Sequence, residues 1–385
     1  MDKILHFQMS GRLIFGNGAV GELPAVMDRL DAARVLIVTD PGLVEAGVCG
    51  RIQGILEDAD VAYETFDGVE ADPSIRVVRD GLAMAQDVAP DALIGLGGGS
   101  SMDIAKVISI LMTNDGDATD YIGSDRVPGP GLPKVTVPTT SGTGSEVSPI
   151  AVLSDEEEHL KKGVVSEYLY ADVALVDPTL TLTLPPAVSA YTGIDALTHA
   201  IEAYTNRYAH PLIDTLALRA IRLIGGNLRR AVACGEDRQA RYNMSMASLL
   251  GGMCLGSVNT GAVHALAYPL GGEYDVPHGV ANSLLLPYVM RYNLISDLER
   301  FAEIAAALGE NLDGLSLRDA ADRAVDAVMQ LCQDVGIVTQ LRELDIPEDA
   351  IDEMAAAAMK VTRLLSINPR HVTEEAARQI YRDAY

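Results

Sequence analysis

The chain has 385 residues and a formal net charge of −25, with 48% hydrophobic and 22% charged residues. That length exceeds one ordinary core and implies two domains, and the apolar fraction is that of a folded protein, not a disordered one. The acidic balance excludes a nucleic-acid partner, because no basic surface is left to neutralise phosphates, and no run reaches the roughly 18 apolar residues of a membrane span.

From the N-terminus, MDKILHFQMSGR lacks the apolar core of a secretion signal, and the four cysteines (Cys49, Cys234, Cys254, Cys332) form no CxxC pair. The chain therefore reads as cytoplasmic, with reduced thiols. HFQMSGRLIFG (6–16) reads as a hairpin. Beyond it, RVLIVT (34–39), VAYETF (61–66), ALIGL (92–96), KVTVP (134–138) and VALV (173–176) are β-branched runs alternating with helical stretches, the pattern of a parallel α/β sheet. GSDRVPGPGLP (123–133) and SDEEEHLKKG (154–163) read as loops within this domain.

Three glycine-rich segments compete for a dinucleotide. GNGAVG (Gly16 to Gly21) matches the GxGxxG pattern, precedes a plausible helix, and has Asp40 where a ribose-binding acid would sit. In a chain with 35 glycines so short a pattern is more often a plain turn into a helix. IGLGGGSSMDIAKVI (94–108) is the stronger candidate: a strand runs into three glycines and then into a helix that Ser100 could cap, with Asp103 as its capping-box partner. VPTTSGTGSEV (137–147) offers the hydroxyls of Thr139, Thr140, Ser141 and Thr143 after another strand.

After TLPP (182–185) the β-branched runs stop, and the domain boundary falls near residue 186, giving domains 1–186 and 187–385. Leu212, Ile213, Leu216, Ala220, Ile221 and Ile224 fall on one helical face, and Ala-rich stretches at 301–308 and 350–361 continue the helical character. In YTGIDALTHAIEAY (191–204), Asp195 and His199 lie four apart on one face, where both reach a common point. Two of the seven histidines, His264 and His278, flank a Gly/Pro-bounded turn in an apolar region, and buried imidazoles need partners. Three imidazoles and a carboxylate suit Zn²⁺ or Fe²⁺. His6, His159, His210 and His371 have no such company, and Glu202, three residues past His199, reads as a structural ion-pair partner in preference to a residue that supports a metal ligand from behind.

FGNG, GGGSSMD, TTSGTGSE, VALVDP, TGIDALTHAIEAY and GAVHALAYPLGGEYDVPHGVAN together span nearly the whole chain. On these motifs the sequence resembles the iron-containing alcohol dehydrogenase family. The resemblance implies an α/β dinucleotide-binding N-terminal domain of the dehydroquinate-synthase kind and an all-helical metal-binding C-terminal domain. It places the NAD pyrophosphate on Gly98, Gly99 and Ser100, not on Gly16–Gly21, and the adenosine ribose on Asp40. Thr139, Thr140, Thr143, Val152 and Lys161 would line the cofactor site, and Asp195, His199, His264 and His278 would hold Fe²⁺. A small alcohol or aldehyde is the implied substrate, and at least a homodimer the implied assembly.

The chain departs from the family pattern at Tyr268, where a histidine is frequent, at Asp72-Pro73 in place of Asn-Pro, and at Cys254 or Leu255 in place of an aromatic. Tyr268 or a water is then the expected proton carrier. A dehydroquinate synthase-like lyase is the alternative reading, but that chemistry needs Lys and Arg residues that the metal-binding segments lack.

Overall fold

The computed structural model describes residues 4–155 and 160–385. The chain forms two compact units, Gln8–Leu184 and, after it, Pro185–Tyr385, which is joined by the N-terminal tail up to Phe7.

The first unit holds nine strands: β1 (Arg12–Phe15), β2 (Arg34–Val38), β3 (Ala62–Phe66), β4 (Ala92–Gly97), β5 (Gly123–Ser124), β6 (Lys134–Pro138), β7 (Ile150–Asp155), β8 (Leu160–Val165) and β9 (Val173–Val176). Six form a parallel sheet in the order β1-β9-β6-β4-β2-β3. Its inner strands β4 and β6 are buried along their whole length, as the continuous apolar runs of a sheet covered on both faces require. β3, at one edge, is only partly buried. The chain passes outward from β2 to β3, then returns to β4 on the other side of β2. That reversal opens a crevice at the carboxyl ends of β2 and β4, the place where open α/β sheets bind ligands.

Two expectations need correction here. Residues 6–16 form no hairpin: β1 alone forms, and it pairs in parallel with β9, which otherwise would present an unpaired edge. The stretch 154–163, expected as a loop, contributes its ends to an antiparallel pair of β7 and β8, with Lys162 Nζ 2.8 Å from Asp155. Positions 156–159, His159 among them, lie outside the described residues. The segment 123–133 is a loop apart from the two residues of β5.

The second unit is helical. Its main helices are Pro186–Thr205, Pro211–Ala233, Arg238–Val258, Ala262–Glu273 and His278–Asn293. Ile213, Ala220, Ile221 and Ile224 are buried as the periodicity requires, but Leu212, at the first turn, is 54% exposed. Among the described residues no single helix is long and apolar enough to cross a membrane, and all four cysteines are free.

Candidate functional site

In the α/β unit the loops that leave β2, β4 and β6 emerge side by side. Thr139 N donates to Gly97 O at 2.9 Å, which joins the ends of β6 and β4. The helix Gly99–Leu111 begins at once, with Gly98 as its extended N-cap and no side chain capping it. Its first-turn N–H groups and the helix dipole make an anion site. A Cβ on Gly99 would stand 2.8 Å from Thr143 Cγ2, so only glycine lets the TTSGTG loop lie against this helix start. Gly98, Gly99, Ser100, Thr140 and Thr143 are half-buried and Thr139 is buried. Asp40, two residues past β2, accepts from Leu43 N at 3.1 Å through Oδ1 and caps the short helix Pro41–Glu45. Lys161, buried on β8, pairs with Asp72 at 2.7 Å.

The capping box expected of Ser100 and Asp103 does not form. The helix starts two residues earlier than that reading requires, and Asp103 turns inward. Its carboxylate accepts from Ser145 Oγ and, at 2.9 Å, from Val152 N, beside the fully buried Lys106. Lys106 Nζ in turn donates to Ser145 Oγ at 2.6 Å and to the carbonyls of Ser148 and Ile150. Burial lowers Lys106 and raises Asp103, while each holds the other toward its charged form. Burial also pushes the neighbouring Glu146 carboxyl up to about 7. Asp103 therefore sets the position of Val152 and of the 137–147 loop, and its oxygens are spent on protein partners.

GNGAVG has a different occupant from the one its pattern suggests. Gly18 N and Val20 N donate to the carboxylate of Asp177, at 3.0 and 3.4 Å. The glycine turn, with Gly18 at φ +85°, cradles an internal anion.

In the helical unit, Asp195, His199 and His264 bring one ligand atom each within 4.8 Å of one another, all three buried. His264 Nε2 stands 3.1 Å from His199 Nε2 and 3.8 Å from Asp195 Oδ1. The other side of the His264 ring meets Glu202: Nδ1 is 2.6 Å from Oε2, while Glu202 Oε1 accepts from Val263 N at 2.7 Å. A carboxylate at Nδ1 keeps the proton there, so the Nε2 lone pair points into the cluster. Two imidazole nitrogens and a carboxylate oxygen converge here in a dry core, where a shared cation would satisfy all three. That donor chemistry fits a divalent transition metal.

His278, the first residue of its helix, is half-buried and lies outside this group of three. Its ring centre is 5.3 Å from that of His264, and its Nε2 is 3.0 Å from Asn282 Nδ2, which also donates to Asp195 Oδ1 at 2.7 Å. Burial would raise Asp195, but His199, His278 and His264 together with the Asn282 amide outweigh it and hold the carboxyl below its ordinary value.

Glu202, expected either behind a metal ligand or in a structural ion pair, meets both descriptions by pairing with His264. Its spacing of three from His199 puts it on the same helical face, and a buried acid there signals a histidine to orient. Tyr268 is nearly buried, with its ring centre 6.5 Å from that of His278, and burial raises its hydroxyl above the ordinary value. Cys254 and Leu255 are buried in the helix Arg238–Val258.

Comparison with known proteins agrees with this geometry. Residues 10–178 match the family model "Iron-containing alcohol dehydrogenase", and residues 189–385 match "Fe-containing alcohol dehydrogenase family, C-terminal". The chain is 44% identical to 1,3-propanediol dehydrogenase of Klebsiella pneumoniae over 373 residues, 96% of each chain. The crystal structure of a 1,3-propanediol oxidoreductase superposes with a TM-score of 0.97 at 42% identity, covering 100% of both chains. Sulfoacetaldehyde reductase from Bifidobacterium kashiwanohense, solved in complex with NAD⁺, superposes with a TM-score of 0.90 at 28% identity over 99% of each chain. These are a dehydrogenase, an oxidoreductase and a reductase, and the lyase alternative gains nothing from them.

Proposed function

Because the chain belongs to the iron-containing alcohol dehydrogenase family, we propose that it is an NAD-dependent oxidoreductase interconverting a small alcohol and its aldehyde, or a hydroxy acid and its oxoacid. The observation that carries this reading is the buried convergence of Asp195, His199 and His264, with His278 beside them. A divalent ion held there, Fe²⁺ by family and Zn²⁺ by equal ligand chemistry, supplies Lewis acidity toward the substrate oxygen, and NAD(H) supplies the hydride chemistry.

The protein's own groups bind and orient. Glu202 fixes the His264 tautomer, and Asp195 contributes the negative charge that a dication requires. Gly98, Gly99 and Ser100 would receive the pyrophosphate at an uncapped helix start. Asp40 would accept from the adenosine ribose through the oxygen not committed to Leu43 N. Thr139, Thr140, Thr143, Val152 and Lys161 would line the remainder, with Asp103 acting on them from behind. The thiols suit a reducing, cytoplasmic setting, and the family resemblance favours a homodimer or larger assembly.

The test is NADH oxidation against a panel of small aldehydes and oxoacids, with metal analysis of the same sample. Turnover of at least one carbonyl by metal-containing protein is expected. No turnover of any of them by fully metallated protein would refute the reading.

Tyr268, whose ring centre is 6.5 Å from that of His278, is the side chain we assign to carry the alcohol proton, with water as the other carrier. Burial raises its hydroxyl above the ordinary value. Tyr268→Phe is expected to lower kcat by roughly 10²-fold, the usual loss for an acid–base group, with NADH and metal affinity unchanged. Parent-like kcat in Tyr268→Phe would transfer the role to water.

A further inference from the structure

Lys106 is fully buried, and nothing assigned so far to the cofactor or the metal uses its charge. An ammonium group taken out of water is costly unless each of its three protons finds an acceptor. Here they all do. Lys106 Nζ donates to Ser145 Oγ at 2.6 Å, to Ile150 O at 3.0 Å and to Ser148 O at 3.2 Å, with the Asp103 carboxylate 3.5 Å away. Replacing a buried ion pair by apolar groups is often neutral for stability, so the informative feature is what this ammonium holds.

It holds segments that the sheet does not. Asp103 and Lys106 lie one turn apart on the helix Gly99–Leu111, whose first turn carries Gly99 and Ser100. Ser145 follows directly on the TTSGTG loop, Ile150 opens β7, and Val152 N donates to Asp103 Oδ2 at 2.9 Å. β7 in turn pairs with β8, which sets Ser154 opposite Lys161. Both strands belong to the three-stranded sheet, and among the described residues no strand pairing joins them to the six-stranded one. Ala151 and Leu153 of β7 do share an apolar cluster with Ile104 and Ala105 of the helix. Apolar contact has no direction and tolerates sliding, whereas hydrogen bonds to positions 145, 148, 150 and 152 fix a register.

We propose that Lys106, acting with Asp103, is a positioning residue: it docks the β7–β8 arm and the end of the TTSGTG loop onto the helix that receives the pyrophosphate, so that the NAD site is assembled before the cofactor arrives. This rests on the cofactor reading above, in which Val152 and Lys161 of the arm line the site.

The experiment compares NADH and ADP binding to the full chain by calorimetric titration, in the parent and in Lys106→Met combined with Asp103→Asn. Lys106→Met alone leaves the Asp103 carboxylate buried without its cation, so the double variant carries the test. On the cofactor reading ADP meets the helix start and Asp40, neither of which the arm carries, and NADH meets the arm as well. NADH is expected to bind the double variant roughly 10- to 100-fold more weakly and ADP no more than about twofold, because the displaced contacts are those of the arm. Far-UV circular dichroism and metal content should match the parent, since the helix keeps its apolar contacts and the metal residues belong to the other unit. A lysine that merely stabilised the fold would not separate NADH from ADP. Parent-like NADH affinity, equal losses for the two ligands, or loss of helix or metal along with them would each overturn the proposal. A parent protein that binds neither NADH nor ADP would instead overturn the cofactor reading itself.

Discussion

His264→Ala is expected to leave a folded protein that holds little metal and turns over at less than about one-thousandth of the parent rate. Lewis-acid stabilisation of a developing oxyanion contributes several kcal/mol, and each 1.36 kcal/mol is tenfold in rate. His264 is central to the cluster: its Nε2 faces both His199 and Asp195, and its Nδ1 is held by Glu202. Truncation removes one donor and leaves the Glu202 carboxylate buried without its strongest partner. His278→Ala should act in the same direction through a donor at the margin of the cluster. NADH binding should survive in both, because the expected cofactor residues belong to the Gln8–Leu184 unit and the histidines to Pro185–Tyr385. Metal analysis and NADH fluorescence titration on the same samples check this. Full metal occupancy with normal turnover in either variant would remove that histidine from the site.

Asp40→Gly is expected to shift cofactor preference from NAD toward NADP by about 10²-fold. A carboxylate there accepts from the ribose hydroxyls of NAD, whereas the 2′-phosphate of NADP would face it as a like charge. At about 4 Å and an effective dielectric near 20, that repulsion is about 4 kcal/mol before relaxation. Asp40 also caps the helix Pro41–Glu45, so the substitution must be separated from loss of the cap. Glycine costs only a few tenths of a kcal/mol at an N-cap, so stability should be nearly unchanged. Asp40→Ser, which retains a capping oxygen without the charge, should relax the preference in the same direction. The check is kcat/KM with each cofactor. Equal use of both by the parent protein would take Asp40 out of the ribose site.

The inner strands β2, β4, β6 and β9 were legible because a sheet covered on both faces writes continuous apolar, β-branched runs into the sequence, whereas the edge strand β1 was read into a hairpin. The β7–β8 pair was not legible: Asp155 and Lys162 give its edge the composition of a loop, and the ion pair that joins them shows only in space. GNGAVG misleads for a related reason. The anion it holds is Asp177, whose carboxylate is 159 positions from Gly18, and no local pattern announces so distant a partner. The capping box at Ser100 failed by two residues of helix start. Asp195 and His199 were readable as one helical turn, and His264 and His278 by their apolar surroundings. Glu202 could be singled out by its spacing from His199, but not its partner His264, which is 62 residues away. The proximity of Asp195 and His199 thus follows from spacing, and the convergence of His264 on them follows from packing.

The most direct measurement is an anaerobic titration of Fe²⁺ into metal-free protein, followed by NADH oxidation with a small aldehyde found active in the parent. The rate should rise in proportion to added ion and break at one ion per chain, and Asp195→Ala should give no rise at any ratio. Undiminished turnover by the metal-free protein, or a rise in Asp195→Ala matching the parent's, would contradict the account.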